Sequence, residues 1–361
     1  MLCSTSLRPL VRLLCIGFLM WCCTVAGVLA QTQPAPLSKL RIVGGLAGLN
    51  QYTRNEEPFW ARELSRLSGG KYSADIVPFD QAGVPGGDML RMIQLGVVPF
   101  GTTLLSSLSA KYPEYNAPDL AGLNPDMGSL KKTLAAFRPY LEKTLRDRHG
   151  IETLAIYVYP AQVVFCKKSL TALADLSGRR VRVSSASQSD FLGALGAVPV
   201  LTSLSGIMGS LSTGNTECAI TGSMSGNTLG LHEVTTHVYA MPVTWGLAIF
   251  AANAGVWADL PPDLRALLSR ELPKLESTIW LESERETLDG LACNTGAATC
   301  SKGRKGRMIE VAVSAQDERR RQELFKSTVL TNWLQRCGPR CNEIWNQTIG
   351  PVRGIMAPPA Q

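Results

Sequence analysis

Histidine is scarce: the 361-residue chain has three, His149, His232 and His237. That leaves little for imidazole acid–base chemistry or a histidine-rich metal centre, and no HExxH motif occurs. Aromatic residues make up 7% and charged residues 18%. The net charge of +7 is scattered along the chain, too weak a field to argue for nucleic acid. A GxSxG elbow, a GxxxxGK[ST] phosphate loop and a GxGxxG after the first expected strand are all missing. The cluster Gly83-Val84-Pro85-Gly86-Gly87 carries a proline and no lysine, so it is a poor phosphate cradle. No cofactor and no metal is expected, and the absent motifs weigh against an enzyme.

Long apolar runs are also missing, except at the start. Arg8 and Arg12 precede an apolar stretch over residues 13–28, which closes on Val28-Leu29-Ala30. A basic start, an apolar middle and small residues near the end describe a cleaved signal peptide over residues 1–30. The run falls short of the ~20 residues that span a bilayer comfortably. Residues 31–38, with two prolines, read as a flexible leader. A protein exported from the cytoplasm is expected.

Of 10 cysteines, six follow that segment: Cys166, Cys218, Cys293, Cys300, Cys337 and Cys341. Export to an oxidising compartment favours disulfides, Cys293 with Cys300 and Cys337 with Cys341, over a four-cysteine zinc site. Cys166 and Cys218 lie in apolar runs and are either a third bridge or buried thiols.

What is present is alternation of strands and helices. Residues 40–45, 72–79 and 97–105 read as strands, with helices at 56–67 and 88–95 between them. A helix over 130–148 opens a second series, with strands at 151–158, 163–167, 181–183 and 217–220 and short helices at 191–195 and 207–211. Leucines at 264, 267, 268, 272 and 275 predict a long amphipathic helix over 263–288, which Pro273 bends or splits. A strand at 308–313, a charged helix at 315–326 and an apolar segment at 344–355 end the chain. The grammar is α/β, in two successive units with a cleft between them.

The stretch Asp175-Leu176-Ser177-Gly178-Arg179-Arg180-Val181-Arg182-Val183 resembles a segment of TRAP-transporter solute-binding proteins, the DctP-like family. Residues 59–79, the Gln81-Ala82-Gly83 turn and residues 237–268 are similar to that family in the same order, and residues 39–355 can be threaded on it. The resemblance implies a two-lobe periplasmic-binding-protein fold with a ligand cleft and a long helix bridging the lobes. Lobe I with the bridging helix is then expected over 39–161 plus 250–286, and lobe II over 162–249 plus 287–361. It also implies capture of a small organic anion, such as a carboxylate, by lobe closure and delivery to a TRAP-type membrane permease. A monomer is expected. A periplasmic sensor or adaptor of the same fold is the alternative.

In that family an arginine of the 175–183 stretch binds the ligand carboxylate, and here the position is Arg182. A guanidinium is always charged and matches a carboxylate with two parallel bonds. Three further family positions are changed, one of them a glutamate that is Gly206 here. A second arginine is replaced by Gln162, and an asparagine by Thr221. Both can hydrogen-bond, but neither balances a charge. By their places at strand ends, Gln51, Tyr52, Phe79 and Thr102 are further candidates, and Trp245 is expected to wall the ligand near the crossing between lobes.

Overall fold

A computed structural model describes residues Ser38–Pro358. The signal peptide expected over 1–30 and all of the leader except Ser38 lie outside the described residues. Among the described residues, eleven strands form two sheets. The first is built from β1 (Ser38–Gly44), β2 (Tyr72–Pro78), β3 (Phe100–Leu104), β4 (Ile151–Val158) and β10 (Leu247–Asn253), in the order β2-β1-β3-β10-β4. The second holds β5 (Gln162–Cys166), β6 (Arg180–Val183), β7 (Val198–Leu201), β8 (Cys218–Gly222), β9 (His237–Thr244) and β11 (Ile309–Val311), in the order β11-β9-β5-β8-β6-β7.

One strand in each sheet runs against the rest. β10 is antiparallel to β3 and β4, and β5 is antiparallel to β8 and β9. These are the strands that the chain enters after crossing between lobes, at 159–161 and at 245–246. Residues 247–249, assigned to lobe II from sequence, therefore belong to the first sheet. Their apolar run Leu247-Ala248-Ile249 is buried between β3 and β4, and a fully buried central strand reads as continuous hydrophobicity with no alternation to mark it.

The long helix Pro262–Thr295 runs through Pro273 unbroken. Its first half buries Leu264, Leu268, Leu272 and Ile279 in the core of the first lobe. Further along, the Trp280 indole N–H donates to the Ile156 carbonyl at 2.8 Å and the Ser283 hydroxyl to the Val158 carbonyl at 2.6 Å, both on β4. Its last turns pack on the helix Ser223–Thr228 of the second lobe. There the Ser223 hydroxyl donates to the Thr287 carbonyl, and the Asn294 amide to the Ser223 carbonyl. The helix bridges the two lobes.

The structure joins Cys293 to Cys300, Cys337 to Cys341, and Cys166 to Cys218. Cys293 lies in the last turns of the long helix, where the sequence reads as a loop. Cys166 and Cys218 face each other on the paired strands β5 and β8. The C-terminal helices, assigned from sequence to lobe II, lie against both series: Trp333 donates to the Pro113 carbonyl, whereas Arg336 pairs with Asp190. No helix among the described residues is long and apolar enough to cross a membrane.

Candidate functional site

The parallel strands of both lobes direct their C-terminal ends at one cleft of about 410 Å³. Ligands favour that end of a parallel strand, where the chain turns and backbone groups are free. Leu46, Leu49, Phe79, Asp80, Ser106 and Ser107 line it from the first lobe. Gln162, Arg182, Ser184 and Thr221 line it from the second, with the run Leu201-Thr202-Ser203-Leu204-Ser205 that starts at the last residue of β7. Leu201 leaves 72% of its surface exposed at the rim.

Arg182 is the cation of this cleft, yet it is only 3% exposed. Its Nε donates to the Thr202 carbonyl at 2.8 Å and its Nη1 to the Ile220 carbonyl at 2.7 Å. Nη2 makes no hydrogen bond among the described residues. No carboxylate among them pairs with the guanidinium. Burial, uncompensated by any anion, pulls its pKa down to about 10. It stays charged at neutral pH, held rigidly and poorly hydrated.

Gln162 sits beside it in a polar network. The Gln188 amide donates to Gln162 Oε1 and to the Thr244 hydroxyl, each at 2.8 Å, and its own carbonyl accepts the Ser184 N–H. Thr221 is buried at the end of β8. Thus Arg182, Gln162, Thr221 and Phe79 meet in one cleft.

Four other candidates stand behind its wall. Glu56 is fully buried, and its carboxylate accepts Gly45 N–H at 2.9 Å, the Gln51 amide at 3.0 Å and the Thr102 hydroxyl at 3.2 Å. Burial raises the Glu56 pKa to about 7, and those donors temper the rise. Gln51 and Thr102 therefore serve Glu56 and do not line the cleft. Tyr52 is buried against Gly44. Trp245 is buried too, its indole N–H spent on the Asn124 carbonyl at 3.1 Å, so it supports the crossing and does not wall the cleft.

Sequence reasoning missed Gln188 and Asp119. Asp119 is buried, and its carboxylate accepts Trp245 N–H at 2.9 Å and Gly246 N–H at 2.7 Å. Its one sequence signal is a lone charge in the apolar run Ala117-Pro118-Asp119-Leu120-Ala121.

Residues 47–295 match the bacterial extracellular solute-binding protein family 7, DctP. The chain belongs to this family. Among solved structures it resembles DctP7, a Bordetella pertussis extracytoplasmic solute receptor binding pyroglutamic acid. The two share 23% identity and a TM-score of 0.74 over 86% of this chain and 99% of that one. A TRAP periplasmic solute-binding protein of Desulfovibrio salexigens with bound orotic acid matches at 18% identity and TM-score 0.75, over 88% and 98% of the chains. One from Sulfurospirillum deleyianum with bound succinate matches at 17% and 0.73, over 88% and 99%. At such identities the likeness establishes the two-lobe fold.

Proposed function

We propose that this DctP-family protein captures a small organic anion in the periplasm by lobe closure and delivers it to a TRAP-type membrane permease. One observation carries the reading: Arg182 presents a buried guanidinium to the cleft with no counter-ion among the described residues. Desolvating a charge without a partner is costly, and a ligand carboxylate would supply the partner. Closure would then remove the remaining water and strengthen the pairing. Relatives of the same fold hold pyroglutamate, orotate and succinate, all carboxylates. Gln162 and Thr221 would hydrogen-bond the ligand, and Phe79 would pack on its apolar part.

A thermal-shift screen against organic acids tests the proposal. A true ligand at 100 times its dissociation constant stabilises the protein by about 2.7 kcal/mol. Arg182→Gln should lose that shift. A panel in which no acid stabilises the protein, or an Arg182→Gln variant that binds as wild type does, refutes it. Uptake of the ligand should fail in cells lacking this protein.

A further inference from the structure

The charges that line the cleft say more about its ligand. Arg182 is the one cation among the lining residues and Asp80 the one carboxylate. They face the cavity from opposite lobes. Asp80 accepts the Ala47 N–H at 2.8 Å through Oδ1, and no cation among the described residues pairs with it. The rest of the lining is hydroxyls, the Gln162 amide, the glycines Gly86, Gly87 and Gly222, and apolar side chains, including Phe79, Leu104 and Leu204.

We infer that the cleft selects acids with a single carboxylate and rejects dicarboxylates. This rests on the proposed carboxylate-binding role of Arg182. With one carboxylate seated on that guanidinium, a second would be taken out of water on closure with no cation to meet it. It would also approach Asp80, a like charge. Hydroxyls and the Gln162 amide can partner a hydroxyl, an amide or a ring carbonyl, but cannot offset a full charge in a closing cavity. The discrimination is achieved by repulsion as much as by attraction.

Isosteric pairs isolate the charge: succinate against succinamate, malate against malamate and glutarate against glutaramate, joined by pyroglutamate, orotate and galacturonate. Calorimetry of the full mature chain should find every binder among the single-carboxylate acids. Any dicarboxylate should be weaker than the best of these by roughly 100-fold or more, as expected when like charges meet in a closed interface. Asp80→Asn keeps an acceptor for Ala47 and removes the charge, so it should narrow the gap about tenfold. A dicarboxylate bound within tenfold of the best single-carboxylate acid overturns the inference, and leaves the organic-anion reading standing. Discrimination undiminished in Asp80→Asn overturns the part assigned to Asp80. A panel with no binder of either kind defeats the underlying reading itself.

Discussion

The buried carboxylate of Asp119 holds the N–H of Gly246, the residue at which the chain returns from the second lobe to the first. Gly246 has φ +79, a left-handed conformation that a Cβ would strain, and its carbonyl accepts the Tyr159 N–H of the other crossing. Both crossings are thus tied at one point, and the tie ends on a carboxylate that pairs with no cation among the described residues. Under the proposed lobe closure, a hinge anchored this way would keep its backbone geometry while the lobes on either side move.

Stability should increase on mild acidification. Burial raises Asp119 from its ordinary 3.8 to about 6 and Glu56 from 4.5 to about 7. The folded state therefore holds these protons more tightly than the unfolded chain. Their contribution is full below pH ~4 and is lost as pH rises through about 6 and 7. His149 and His232, whose pKa values burial lowers, act in the opposite sense. Melting temperature followed from pH 8 to pH 5 should rise, and Asp119→Asn should flatten the profile. A profile of unchanged slope in that variant removes Asp119 from the account.

Arg182→Ala should bind the ligand at least 30-fold more weakly than wild type, and Arg182→Lys should restore only part of the loss. Truncating one partner of a desolvated charge pair costs roughly 2–5 kcal/mol, and an ammonium cannot reproduce the guanidinium fork. The change also reaches the free protein, because Arg182 holds the carbonyls of Thr202 and Ile220. The sequence suggests a charge in an open wet cleft, whose loss would spare the melting temperature; its burial makes a shift of several degrees the expected result. Calorimetry and thermal melts on one preparation would check both halves.

Alkylation under denaturing, non-reducing conditions should label none of Cys166, Cys218, Cys293, Cys300, Cys337 and Cys341. The Cys166–Cys218 bond closes the longest loop, with a separation of 52 residues. Replacing both with alanine should cost about 2–4 kcal/mol in urea unfolding. A variant within experimental error of wild type would show that strand pairing alone fixes β5 against β8.

Gly290→Ala should destabilise the protein by about 1–3 kcal/mol or more. A Cβ at this position on the long helix would press into the backbone of Ser223 and Met224. Backbone cannot yield as a flexible side chain does. A urea midpoint equal to that of wild type would mean that the helix is not seated there as described.

Strand and helix order was readable because most elements show their period. β4 falls on the residues its apolar pattern marks, and so does most of the long helix. Arg182 was readable because its strand carries the family motif. The helix past Leu288 was missed because Cys293-Asn294-Thr295 has the composition of a turn. Gln51, Thr102 and Trp245 look like cleft residues in sequence because they sit at strand ends. Thr102 and Trp245 are held by Glu56, Asn124 and Asp119, residues far away in the chain, and no local pattern encodes such partners; Gln51 turns to Glu56, only five residues on. Asp119 itself carries no period and no motif.

The long helix has one more consequence. Its first turns complete the core of one lobe and its last turns the surface of the other, so neither lobe can lose its fold without stripping apolar surface from the other. A protein joined in this way should melt as one cooperative unit, and a defect in either lobe should weaken both.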